Sequence, residues 1–150
     1  MLQTFLAWIS LTGINPALPG DVVIYDLTHN KVLGMIPVGV DPRYLAWSSS
    51  LNKIYVPNKE NASVTVIDGD TFEAVKTISV GQDPRKVIIH EVKNKGYVFN
   101  YSLNTLTILD LEEDEVQTTV PLEGAPLGMA FSPDGEKLYV TLHDNHSLTL

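Results

Sequence analysis

KIYVPN (53–58), KGYVFN (95–100) and KLYVTL (137–142) are three versions of one short segment, and their spacing decides the fold. The Tyr-Val pair of each version lies 42 residues after the previous one. Two further residue types recur at the same interval: Pro42, Pro84, Pro126, Asp26, Asp68 and Asp110. Self-similarity at a fixed interval of this size is typical of repeat architectures. The chain is therefore built from copies of a 42-residue unit.

Each copy contains four short runs with strand character. In the middle copy they are KVIIH (86–90), KGYVFN (95–100), TLTILD (105–110) and EVQTTVPL (115–122). These runs are rich in Val, Ile, Thr and Tyr and are bounded by Gly, Pro, Asn and Asp, as strands are. None shows the 3.6-residue apolar spacing of an amphipathic helix. Four strands in about 40 residues are typical of one β-propeller blade, so we predict an all-β fold of four-stranded antiparallel blades.

The repeats in this chain do not add up to a complete propeller ring. With strands a to d counted from the central channel outward, blade units fall at about 43–84 and 85–126. Half blades lie at 21–42, as strands c and d, and at 127–150, as strands a, b and the start of c. Residues 1–20 are either a leader or an extra strand. About three repeats are present, and propellers usually have four to eight blades.

Two explanations of the missing blades remain open. The chain is a piece of a longer propeller, or a second copy completes it. In a homodimer, the leading c–d half of one copy would complete the trailing a–b half of the other, which gives about six blades in a closed two-fold assembly.

Composition narrows the classes of partner. The 150 residues carry a formal net charge of −8, and an acidic surface is repelled by phosphate backbones, so we expect no nucleic-acid binding. No apolar run is long enough to span a membrane. There is no cysteine, which excludes disulfides, thiolate metal sites and covalent haem attachment. We expect no cofactor in this chain.

The repeated segments resemble the YVTN-repeat (YncE-like) β-propeller family. The three Tyr-Val segments resemble its Tyr-Val-Thr-Asn motif, and VTVIDGDTFEAVKTISVGQDPRKV (64–87) looks like its Val-x-Val-Ile-Asp and Val-Gly-x-x-Pro pattern. The resemblance covers about residues 21–150. It implies a propeller that is extracellular, at the cell surface or periplasmic, although no export signal is visible. The last copy departs from the pattern, because Glu123 and Leu142 stand where the family has Gly and Asn.

Two arginines are candidate ligand contacts. Arg43 and Arg85 follow Asp-Pro at equivalent positions and begin strand a, at the predicted mouth of the channel. Two guanidinium groups so placed are suited to clamp a carboxylate or phosphate. The alternative is that Asp41 and Asp83 pair with these arginines or cap the turn before proline.

The turns offer weaker candidates. Asn58 and Asn100 begin the turns between strands b and c, on the same predicted face as the arginines. His143 and His146 occupy the equivalent turn of the last copy, but a zinc site needs three or four convergent ligands, so a metal role is not expected. The acidic run at 112–115 is expected to be a solvated turn.

Regular repetition without a catalytic constellation favours a non-enzymatic binding or scaffold module. Its loop face would contact a protein, a glycan or a small anion. The alternative is a fragment of a propeller enzyme or electron-transfer protein whose catalytic residues lie outside this chain. Fold alone does not choose between these functions.

Overall fold

The computed structural model describes residues 6–11 and 18–143. Within those residues the regular structure consists of thirteen strands and two short 3-10 turns, and all strand pairs within the four sheets are antiparallel. The predicted all-β antiparallel class is confirmed. The four sheets do not close into a ring over the described range. No helix in this range is both long and apolar enough to span a membrane.

Two complete four-stranded sheets form the middle of the chain. Each follows chain order, so each is a simple meander of the kind that the four runs predict. The first sheet contains β4 (Ala46–Ser48), β5 (Lys53–Asn58), β6 (Ser63–Asp68) and β7 (Ala74–Ser79). The second contains β8 (Pro84–His90), β9 (Lys95–Asn100), β10 (Thr105–Asp110) and β11 (Glu115–Pro121).

Incomplete sheets lie at both ends of the described chain. The leading sheet has the order β1 (Leu6–Leu11), β2 (Pro19–Asp26), β3 (Lys31–Val40). The trailing sheet is the pair β12 (Ala125–Phe131) and β13 (Leu138–His143). The leading c and d strands are present as β2 and β3, and β1 occupies the position of strand b beside them.

The core lies between neighbouring sheets, because each sheet turns one apolar face toward the next. One buried cluster joins the leading sheet to the first complete sheet: Val22, Ile24, Ile36, Val38, Ile54, Val56 and Ile67. A second joins the two complete sheets: Tyr55, Val64, Val66, Ile78, Val87, Val98, Leu109 and Leu111. Alternation along each strand places successive side chains in different clusters, as for Ile54 and Tyr55.

A buried polar contact also links the two complete sheets. Asp114 is 7% exposed, and its carboxylate accepts hydrogen bonds from Lys53 Nζ at 2.6 Å and from Tyr55 Oη at 2.7 Å. The expectation of a fully solvated acidic turn at 112–115 is therefore wrong at Asp114. Glu112, Glu113 and Glu115 are exposed as expected, whereas Asp114 points into the interface because its partners lie on the neighbouring sheet.

Candidate functional site

The turns after β5 and β9 meet the crossings between sheets on one face of the molecule. Lys59 N donates to Asp41 O at 3.0 Å, and Tyr101 N donates to Asp83 O at 3.0 Å. Asp41 and Asp83 both have positive φ, at 55° and 56°. Asp tolerates this left-handed conformation better than most residues, since its short polar side chain bonds locally. The repeat therefore builds the same loop geometry twice, and the candidate arginines follow it.

Both candidate arginines pair with the aspartate two residues before them. Arg43 Nη2 lies 2.6 Å from Asp41 Oδ2. Arg85 makes a two-pronged contact, with Nε 2.9 Å from Asp83 Oδ1 and Nη2 2.8 Å from Asp83 Oδ2. This is the Asp–Arg pairing that the sequence offered as the alternative to a ligand clamp. A ligand contact by either arginine stays a prediction, and it would compete with a neighbouring carboxylate.

The pKa values of Asp83 and Arg85 are both shifted by their mutual ion pair. Partial burial raises the pKa of Asp83, but the hydrogen bonds and charge of Arg85, together with a hydrogen bond from Ser102, outweigh it and leave that pKa below its usual range. The same pairing raises the pKa of Arg85. The Arg85 guanidinium also lies 3.5 Å from the centre of the Tyr101 ring, a cation–π contact. The arginine is held in place from both sides.

The two candidate asparagines are buried, and their side chains are hydrogen-bonded to neighbouring strands. Asn58 accepts from Gly39 N at 3.0 Å and donates to Ser63 Oγ at 3.2 Å and Thr65 Oγ1 at 2.8 Å. A Cβ at Gly39 would lie 2.5 Å from Asn58 Cγ, so only glycine permits this approach. Asn58 is fully buried and supports the loop, and a ligand contact by its side chain stays a prediction.

Asn100 repeats this arrangement with one difference. It is fully buried and donates to Thr105 Oγ1 at 3.0 Å and Thr107 Oγ1 at 2.7 Å. Its Oδ1 has no hydrogen-bond partner among the described residues, whereas the equivalent oxygen of Asn58 has one. Gly81 stands where Gly39 does in the first copy, again too close to the asparagine for a Cβ.

The histidines provide no metal centre within the described range. His143 is the last residue of β13 and is exposed, and His146 lies outside the described residues. Over residues 6–11 and 18–143, no group of three His, Asp or Glu side chains is placed to hold a metal ion.

A cavity of about 360 Å³ lies where the inner strands of neighbouring sheets meet, and we call it the mouth cavity. Tyr44 N donates to Arg85 O at 3.2 Å, and Tyr44 pairs with Lys86 as a parallel bridge, so the first and second sheets touch here. The cavity is lined by Tyr44, Arg85, Lys86, Phe99, Pro126 and Leu127. It combines an exposed phenol, two cationic side chains and an apolar floor.

Lys86 is the feature of this cavity that the sequence prediction missed. Its ammonium makes no ion pair with any described residue, in contrast to Arg43 and Arg85. A signal was present, because Tyr44, Lys86 and Gly128 follow Arg43, Arg85 and Leu127 at the repeat interval.

A second cavity of about 400 Å³ lies beside it on the same face, lined by residues that include Lys59, Glu60, Asp83 and Ser102. Lys59 contacts Glu60 at 2.5 Å and Asp41 at 3.4 Å, so its charge is balanced by two carboxylates. Of the two cavities, the mouth cavity is therefore the one lined by a lysine without an acidic partner among the described residues.

Comparison with solved structures identifies the fold. No family model and no curated protein matches the chain. Hydrazine synthase from Kuenenia stuttgartiensis aligns with a TM-score of 0.79 and 24% identity, covering 91% of this chain and 45% of its own. A functionally unknown protein from Desulfotomaculum acetoxidans DSM 771 aligns with a TM-score of 0.72 and 24% identity, covering 88% and 44%. Dihydro-heme d1 dehydrogenase NirN, solved in complex with DHE, aligns with a TM-score of 0.70 and 13% identity, covering 93% and 33%.

These similarities show the fold of the chain and do not show its family or its function. Hydrazine synthase and NirN are β-propeller proteins, so the antiparallel sheets of this chain have a β-propeller-like fold. The chain spans less than half of the length of the three structures it matches. The total blade number and membership of the YVTN-repeat family stay predictions.

Proposed function

We propose that this chain is a non-enzymatic propeller module that binds a small anion, or an acidic group of a larger ligand, in the mouth cavity. The observation that carries the proposal is that Lys86 lines the cavity and its ammonium has no acidic partner among the described residues. A cationic side chain that is already paired must give up one carboxylate in order to bind another. An unpaired cation forms a new ion pair without losing an existing one.

The rest of the cavity suits the same ligand. Tyr44 is 72% exposed and its phenol can donate to a carboxylate or phosphate oxygen. Leu127 and Phe99 supply an apolar wall that lowers the local dielectric and strengthens the contact with Lys86. The Asp83–Arg85 pair holds the rim in place, and Arg85 is a second donor if the ligand displaces Asp83.

Titration calorimetry with inorganic phosphate and with succinate tests the proposal. In Lys86→Gln, the loss of one charge-assisted hydrogen bond should weaken binding of the better anion by about tenfold. The matched control is Lys93→Gln, because Lys93 lies in the turn after β8, away from the mouth cavity, and loses the same charge. Equal affinity in parent and Lys86→Gln, or no heat with either anion, would exclude this site.

A second candidate function is a segment of a propeller enzyme. It is favoured by the names of two structural neighbours, a synthase and a dehydrogenase, of whose chains this one spans less than half. In that case the catalytic residues would lie in blades outside this chain. An acid–base pair or a haem-attachment motif in the adjoining reading frame would support it, and an adjoining frame made only of further repeats would not.

A further inference from the structure

The trailing sheet leaves an apolar groove open on its outer side. The groove has a volume of about 480 Å³ and its apolar lining includes Tyr97, Leu106, Val120, Leu138, Val140 and Leu142. One repeat earlier, the residues equivalent to the first three are Tyr55, Val64 and Ile78, and they are buried by Leu109 and Leu111 of the following sheet. Strands c and d of the next sheet cover the equivalent surface inside the chain, so the groove is where another such pair of strands would pack. Among the described residues, the outer edge of β13 has no strand partner.

The leading sheet has a free face of matching character. β2 and β3 bury one face against the first complete sheet, while Leu27, Val32 and Met35 on the other side are 52%, 57% and 56% exposed. Leu27 lies two repeat intervals before Leu111, one of the two residues that cover the equivalent surface inside the chain. The exposed face therefore carries an apolar side chain at the position that fills such a groove.

The charges at the two ends are complementary. In the second complete sheet, Lys95 at the start of β9 pairs with Asp110 at the end of β10, with Nζ 2.5 Å from Oδ2. Lys137 stands one interval after Lys95, just before β13, and makes no ion pair with any described residue. Asp26 stands two intervals before Asp110, at the end of β2. Lys137 and Asp26 thus correspond to the two residues of the Lys95–Asp110 pair, and in the single chain the Asp26 carboxylate contacts His29 Nδ1 at 2.7 Å.

We propose that two copies of this chain assemble by exchanging strands, with β2 and β3 of one copy serving as strands c and d beside β12 and β13 of the other. The register follows from the pairing of β9 with β10, in which Lys95 faces Asp110 and Val98 faces Thr107. The same register places Lys137 opposite Asp26 of the second copy, and Val140 opposite Val23. The assembly closes because each copy offers both sheet edges.

One described segment competes with this exchange. β1 occupies the inner edge of β2 and puts Leu6 opposite Asp26, where the repeat has a lysine. The repeat interval would align residues 11–16 with that edge, so β1 is five residues out of phase, and the Asp26 carboxylate contacts His29 Nδ1 at 2.7 Å in place of a lysine. We infer that β13 of the second copy displaces β1 from the edge of β2.

Disulfide trapping in the full chain tests the proposed register, since the sequence contains no native cysteine. Under mild oxidation, Val23→Cys combined with Val140→Cys should give a covalent dimer on a non-reducing gel. These residues lie in sheets separated by two complete sheets, so the bond joins two chains. The control pairs Val140→Cys with Val22→Cys, because a one-residue shift turns the second thiol to the opposite face and should leave only monomer. No covalent dimer from the first pair, or the same yield from both, would overturn the register.

Light scattering on the parent protein provides the second measurement and needs no cysteine. The parent should elute at twice the chain mass, and Lys137→Glu, which places a carboxylate opposite Asp26, should shift the population to monomer. Lys86→Gln is the control, because it removes a positive charge outside the exchanged strands and should leave the dimer intact. A parent that is monomeric at all concentrations would overturn the proposal and would indicate that residues of the same chain hold the β13 edge.

Discussion

Replacing Asp114 with alanine should lower the free energy of unfolding by about 3 kcal/mol. The substitution removes the acceptor for both Lys53 Nζ and Tyr55 Oη and leaves a cation and a phenol at a buried interface. Burial, and then the hydrogen bond to Asp114, raise the pKa of Tyr55 far above its usual range, so the phenol remains a donor that needs this acceptor. Urea denaturation followed by circular dichroism measures the loss.

Glu113→Ala is the matched control for Asp114. It removes a carboxylate from the adjacent position of the same turn, but Glu113 is exposed, so its loss should change stability by less than about 0.5 kcal/mol. If Asp114→Ala and Glu113→Ala lower the free energy of unfolding by the same amount, Asp114 does not stabilise the interface. The contact between the two complete sheets would then be apolar only.

Asn58→Ala should also cost about 3 kcal/mol, and it should cost about 1 kcal/mol more than Asn100→Ala. Both side chains are fully buried at equivalent positions. Asn58 makes three hydrogen bonds, whereas Asn100 makes two and has an oxygen without a partner among the described residues. The same urea experiment compares the two variants, and an equal or larger loss for Asn100→Ala would contradict the assigned bonding.

The repeat interval was enough to predict the strands and their order. Strand ends in the middle copy agree with the predicted runs to within two residues, and the largest difference is at β8, which begins at Pro84 and not at Lys86. Hydrogen bonds between strands continue beyond the apolar residues of a run, because they join backbone groups and do not depend on the type of side chain. Position 114 shows that the repeat interval does not predict side-chain contacts. The equivalent residues Asn30, Phe72 and Asp114 all have positive φ, so the backbone turn recurs while the side chain at this position differs.

The sequence offered two interpretations of Arg43 and Arg85, a ligand clamp or a pair with the preceding aspartate. The structure contains both aspartate pairs, and a ligand contact by either arginine stays a prediction. Their pairing with the preceding aspartates depends on the left-handed backbone of Asp41 and Asp83, which turns each carboxylate toward its arginine. Lys86 became the better candidate because freedom from an ion pair depends on every neighbouring element, and a linear pattern does not contain that information.

Binding at the mouth cavity is tested by titrating the isotopically labelled parent protein with inorganic phosphate, and separately with succinate, while amide chemical shifts are recorded. We expect saturable shifts for at least one anion that cluster at Tyr44, Lys86, Phe99 and Leu127, with none in the turn that contains Lys93. Saturable shifts confined to other residues, or linear shifts spread over all exposed lysines, would contradict it.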